Sequence, residues 1–247
     1  MILDHVWQES HDRIRYVSQS KLRRKAAVDR HQNHTISHRK EWAHECVIYF
    51  NTRVWQLMDH GVRMFGETES RKSRNVCWIR VKVNLPTNET NSILRTQLLQ
   101  QTILVASVAL TPAGSEEEIN KAHNPRIHQS DAILDTLVKL RQDNTEAVVL
   151  VGDMGDGYTA RHLFQPAGLQ DPFSTLGLPV EATFPASGPS VVRDWIFANN
   201  RIRPLLASVV RFRQDDVSIS HHWPVMAMYE LLPIQTSTSF FRRSISA

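Results

Sequence analysis

The sequence predicts an α/β (α+β) sandwich. Strand-like runs far outnumber helical ones, helical stretches lie between them, and each kind carries its own hydrophobic period. Residues 76–84 show a period of two, with Ile79, Val81 and Val83 alternating with Arg80 and Lys82. That pattern gives a strand with one face buried and the other polar. Ile133, Leu134, Leu137, Val138 and Leu140 instead follow helical spacing. One face of that helix has to pack on a sheet.

The other elements follow in order. Residues 10–44 are polar and rich in His and Arg, and read as helix plus loop. ECVIYF at 45–50 is β-branched and aromatic, which suits a strand. TILVASVAL at 102–110 is more continuously apolar, as an interior strand would be. Asn124-Pro125 supplies a helix start, a capping side chain followed by a residue preset for the first turn. AVVLV at 147–151 is a short buried strand closed by Gly152-Asp153, and further strands are expected at 195–198, 206–212 and 224–231. Trp78, Trp195 and Trp223 are expected to fill core. Residues 1–233 form one domain on this reading, and the Ser/Thr-rich 234–247 a loose tail.

Bulk properties exclude more than they assign. Of 247 residues, 41% are hydrophobic and 22% charged, an ordinary globular balance. The apolar runs are too short to insert across a membrane, and no leader segment is visible, which gives a cytoplasmic expectation. The net charge of +4 favours anionic partners such as phosphate esters or nucleic acid. Its basic runs at 21–25, 39–40 and 71–74 read as solvated surface, since no aromatic residues interleave them for base stacking. His31, His34 and His38 could share a helix face but have no partner acid. Cys46 and Cys77 each sit in a strand-like run and are expected as buried free thiols.

Chemistry-bearing residues gather at strand ends: Gln8-Glu9, Gly152-Asp153-Met154-Gly155-Asp156, Arg193-Asp194 and Ser220-His221-His222. Acids and imidazoles converging there suit a hard cation and a phosphate. Each also admits a structural reading. Glu9 could be a surface glutamate, Asp153 a turn residue, Asp194 an acceptor for neighbouring loops, and Asp156 a solvated turn acid. His221 and His222 should point to opposite sides of an extended segment, so only one can face a site.

The order Gln8-Glu9, Gly152-Asp153-Met154-Gly155, Thr183-Phe184-Pro185, Asp194-Trp195-Ile196-Phe197 and Ser220-His221-His222-Trp223-Pro224-Val225 resembles the endonuclease/exonuclease/phosphatase superfamily. So do Glu45 with the strand after it, Val54-Trp55-Gln56-Leu57, and the R-x-x-Q pair Arg126 and Gln129. The resemblance implies a DNase-I-like, four-layer sandwich: two mainly antiparallel sheets face to face, with helices outside. It further implies a divalent-metal-dependent phosphoesterase, or alternatively a catalytically silent member binding a phospholigand, nucleic acid or protein. By the resemblance Glu9 is a metal ligand, with Mg or Mn as the metal, and Glu45 is a substrate-side acid. Asp153 orients or deprotonates water, Asp194 supports the apparatus, and His222 contacts phosphate or acts as base.

The departures are specific. Gly155 stands where the pattern has asparagine, Ala109 where it has a histidine, and His221 where it has an aspartate. Imidazole at 221 suits Zn²⁺ better than Mg²⁺, and Asp156 is a possible substitute carboxylate. The family's first strand, with its metal-contacting asparagine, has no counterpart before Gln8-Glu9. The expectation is that the true start lies upstream or that another segment covers the edge.

Overall fold

A computed structural model describes residues 14–17, 48–65, 74–84, 100–213, 218 and 220–233. Glu9, Glu45, Cys46, His31, His34, His38, the basic runs at 21–25 and 39–40, and the tail lie outside the described residues. Strand β1 (Ile14–Val17) pairs antiparallel with β2 (Ile48–Asn51). Next come β3 (Trp55–Phe65), β4 (Arg74–Val83) and β5 (Thr102–Ala109). Helices α1 (Glu116–Lys121) and α2 (Pro125–Leu140) lead to β6 (Ala147–Asp153). After α3 (Thr159–Phe164) and α4 (Pro172–Thr175) come β7 (Asp194–Ala198), β8 (Ile202–Val209) and β9 (Val225–Leu231). Among the described residues, no helix is long and apolar enough to cross a membrane.

One sheet has the order β3-β4-β5-β6-β7. Only β5 and β6 are parallel in it, joined by the crossover through α1 and α2. Alternation along β5 sorts its two faces. Leu104, Ala106 and Val108 join Ile133 and Leu137 of α2 and Phe164 of α3 in one core. Ile103 joins Ile48 and Phe50 of β2, Ala198 of β7 and Ile202 of β8 in the other. The hairpins β1-β2 and β8-β9 therefore form the second layer, and the predicted α/β sandwich is the observed fold. Phe197 anchors the helical side, edge-on to Phe164 at 5.2 Å and stacked on Trp195 at 5.6 Å. Trp195 and Trp223 are buried as expected, and Trp78 packs half-buried on the first core.

The sequence reading is corrected in three places. Residues 14–17 are a strand, not helix or loop; their partners lie 31 to 37 positions away, from Val17↔Ile48 outward to Ile14↔Asn51. The strand expected at 206–212 runs instead over Ile202–Val209, with a bulge between Pro204 and Leu206. Pro204 weakens the strand signal there, yet an outer hairpin tolerates a residue lacking an N–H. Cys77 is disulfide-bonded rather than a free thiol. It lies on β4, against which β2 packs, an adjacency that arises only from the stacking of the layers.

Asn124 caps α2 through the Arg126 N–H, with Pro125 in the first turn, as the dipeptide predicts. The R-x-x-Q pair then ties α2 to the loops at the parallel strands' ends. Arg126 is 2% exposed and binds Glu118 of α1 at 2.6 Å, Asp156 at 2.5 Å and the Thr111 carbonyl at 3.3 Å. Gln129 accepts from the Thr111 N–H and donates to its hydroxyl. Burial opposes the charge on Arg126, but Glu118 and Asp156 outweigh it and raise its pKa. The Arg126 hydrogen bond lowers Glu118, while Asp156 is raised by burial and lowered further by the Thr159 hydroxyl, Thr159 and Tyr158 N–H groups and Arg126. Both acids end below their ordinary values.

The loop behind β6 is held so close that side chains are excluded. A Cβ on Gly152 (φ +147°) would meet the Val108 carbonyl oxygen at 1.9 Å. One on Gly155 (φ +75°) would meet that of Thr111 at 2.2 Å. Glycine at 155 is thus a steric requirement of this loop.

Two outcomes follow. Arg126→Met leaves Glu118 and Asp156 without their cation and costs about 3–5 kcal/mol in urea unfolding at neutral pH. Because both acids have depressed folded pKa values, their stabilisation is present above the ordinary carboxylate range and is lost as pH falls through the folded values; the variant should lose less stability over that acid window than wild type. Gly155→Asn, which restores the residue of the resembled pattern, should destabilise the fold by about 1–3 kcal/mol in the same measurement.

Candidate active site

Three of the predicted residues meet at one rim. Parallel pairing brings the end of β5 beside the end of β6, and antiparallel pairing sets Asp153 directly opposite Asp194 at the start of β7. The segment leading into β9 delivers His222, whose Nδ1–H donates to Asp194 Oδ2 at 2.8 Å. That bond fixes the tautomer, leaving Nε2 as the lone-pair nitrogen.

Thr183, fully buried, organises this corner. Its hydroxyl donates to Asp194 Oδ2 at 2.7 Å and accepts from the backbone N–H groups of Arg193 and Asp194. The ring of Phe184 lies 4.8 Å from that of His222, and the Arg193 guanidinium lies over its face at 4.7 Å.

Arg193 is the residue that sequence reasoning missed. It grips Asp153 through both oxygens, Nη2 to Oδ2 at 2.6 Å and Nε to Oδ1 at 3.2 Å. Strand alternation would send neighbours 193 and 194 to opposite faces. The strand begins only at Asp194, so Arg193 escapes that rule. The available signal was its place beside Asp194 at the mouth of a strand, where a cation can serve two acids.

Asp153 also accepts from the Gly155 N–H at 2.8 Å. Burial nevertheless raises its pKa above the ordinary value; Asp194 adds to the rise, while Gly155, Arg193 and His222 oppose it. Asp156 and His221 stay apart from this cluster. Asp156 accepts from Arg126, the Thr159 hydroxyl and the Tyr158 and Thr159 N–H groups, so it braces the loop. His221 is exposed, and its carbonyl accepts from the Ala186 N–H. Glu9 and Glu45 lie outside the described residues.

Among the described residues the donor set stops short of a metal site. No group of three His, Cys, Asp or Glu side chains suited to a metal occurs among the described residues. Both oxygens of Asp153 are already held by a guanidinium, and Asp194 Oδ2 by Thr183 and His222. A divalent cation at Asp153 would have to displace Arg193 or lie against its positive charge.

No protein-family model matches the chain, and no curated protein sequence matches it. Solved structures do. The mannosyl-6-phosphatase of Bacteroides thetaiotaomicron VPI-5482 superposes with a TM-score of 0.57 at 13% identity, over 75% of this chain and 70% of that one. An endonuclease/exonuclease/phosphatase family protein from Bacteroides thetaiotaomicron gives 0.55 at 14%, over 74% and 68%. D. rerio TDP2, complexed with a single-strand DNA product, gives 0.55 at 15%, over 74% and 71%. Identities this low speak to architecture alone. With the topology of its large sheet and these superpositions in agreement, the chain has the DNase-I-like sandwich fold that these solved structures share.

Proposed function

We propose that this protein hydrolyses phosphate esters, with His222 as the general base. The observation that carries the reading is the His222–Asp194 hydrogen bond at 2.8 Å, backed by the buried Thr183 hydroxyl. A carboxylate on Nδ1–H orients an imidazole and stabilises its protonated form, leaving Nε2 to take a proton from water. The resulting hydroxide attacks phosphorus in line, the P–O bond to the leaving group breaks, and the leaving oxygen takes a proton from solvent or from imidazolium. Asp153 holds Arg193 in place beside this base. The net positive charge of the chain suits an anionic ester. Superposed neighbours include a sugar phosphatase and a protein holding DNA, so both phosphomonoesters and nucleic-acid diesters belong in the test. The alternative is a silent phospholigand-, nucleic-acid- or protein-binding member of the fold. It gains support from the occupation of both Asp153 oxygens and from a glycine at 155 that leaves no room for an amide.

The test is hydrolysis of bis-(p-nitrophenyl) phosphate and p-nitrophenyl phosphate, with Mg²⁺, Mn²⁺ or Zn²⁺ and with EDTA. His222→Ala should lower kcat about 10²–10⁴-fold, and Asp194→Asn should also lower it by removing the acceptor that sets the tautomer. Glu9→Gln should matter only where added metal raises the rate. No turnover of either ester under any condition refutes the hydrolase and leaves the binding module. The pH profile supplies a second check. Asp153 must be ionised to hold Arg193, and its pKa is raised by burial. Protonation of the general base and of Asp153 should each lower the rate as pH falls, and Asp153→Asn should remove only the second contribution, which lies above aspartate's ordinary 3.8.

A further inference from the structure

We infer that Arg193 is the resident cation of this site, binding a phosphate oxygen where the resembled pattern would use a metal ion. The inference rests on the phosphate-ester reading above and adds the group that recognises the ester. Arg193 uses Nε and Nη2 on Asp153, at 3.2 and 2.6 Å. Among the described residues its Nη1 has no hydrogen-bond partner, and that atom still touches solvent. The side chain is 13% exposed, so the group is mostly desolvated yet reachable. A planar guanidinium held at one edge by a carboxylate offers its remaining N–H groups to an anion in a fixed direction.

Its surroundings restrict where it can go. The Phe184 ring supports one face at 4.7 Å, and the same ring lies 4.8 Å from His222. The backbone N–H of Arg193 donates to Thr183 Oγ1 at 3.0 Å, the hydroxyl that also donates to Asp194. Guanidinium and imidazole are thus both packed against one aromatic ring. An oxyanion held by Nη1 would sit in the neighbourhood of the base. Arg126, the other buried guanidinium beside these loops, has Nε, Nη1 and Nη2 all committed to Glu118, Asp156 and Thr111. It has no comparable edge to offer, which singles out Arg193.

Inorganic phosphate is the probe, titrated into the full chain by calorimetry and followed by ³¹P NMR, in EDTA and again with Mg²⁺ or Mn²⁺. Wild type should bind phosphate in EDTA. Arg193→Gln should weaken binding at least tenfold, and Arg193→Lys, which keeps the charge but loses the fork, at least threefold. Near-UV circular dichroism verifies folding, and Arg193→Lys alone decides the matter if the glutamine variant is unfolded. Mn²⁺, read by electron paramagnetic resonance, should bind more tightly to Arg193→Gln, because the variant frees Asp153. The inference is overturned if wild type binds phosphate only with added metal, or if the folded variants bind as wild type does; either result leaves hydrolysis by His222 standing. Absence of phosphate binding by wild type in every condition overturns the inference and the phosphate-ester reading together.

Discussion

Two aspartates face each other across neighbouring strands, and their charges must be compensated for the rim to exist. Cross-strand partners lie about 4.5–5.5 Å apart, a separation at which two partly buried carboxylates repel strongly. Every notable contact at this end answers that constraint. Arg193 and the Gly155 N–H attend to Asp153, while Thr183 and His222 attend to Asp194. The division is unequal: one acid receives a full cation, the other a hydroxyl and an imidazole. By that inequality the second acid orients an imidazole while the first fixes a guanidinium.

Support for the rim comes from outside it. Arg126 and Gln129 share no bond with Asp153, yet they clamp Thr111, Glu118 and Asp156. The Thr111 carbonyl in turn lies against Gly155, whose N–H is bound to Asp153. A motif shared with a catalytic family is here a piece of loop engineering, and it reaches the chemistry through backbone position. The buried pair Arg80 and Glu146, at 2.6 Å and near the N-terminal end of β6, plays a corresponding part far from the site.

What could be read in advance follows from how far apart in the chain the cooperating groups lie. The Val76-to-Val83 alternation, the Asn124-Pro125 cap and the valine-rich β6 are local signals, and each became the expected element. Asp153, Asp194 and His222 could be named because ordered motifs surround them, and the fold brings them together. The pairing of β1 with β2 could not be read, because a strand's partner is fixed by layer stacking rather than by its own residues. The Cys77 disulfide escaped for the same reason. Arg193 stands one residue before its strand, where no periodic pattern marks the direction of a side chain. Asp156 misled in the opposite sense, since a carboxylate near a site is as readily a brace as a ligand.

The rim is closed by the part of the chain that comes last in sequence among its contributors. Asp153 and Arg193 are synthesised well before His222, which only the segment entering β9 carries into place. Domains generally fold as units, so the carboxylate–guanidinium couple and the imidazole take their places together. The His222–Asp194 contact is therefore kept or lost with the docking of β9, the last strand of the fold.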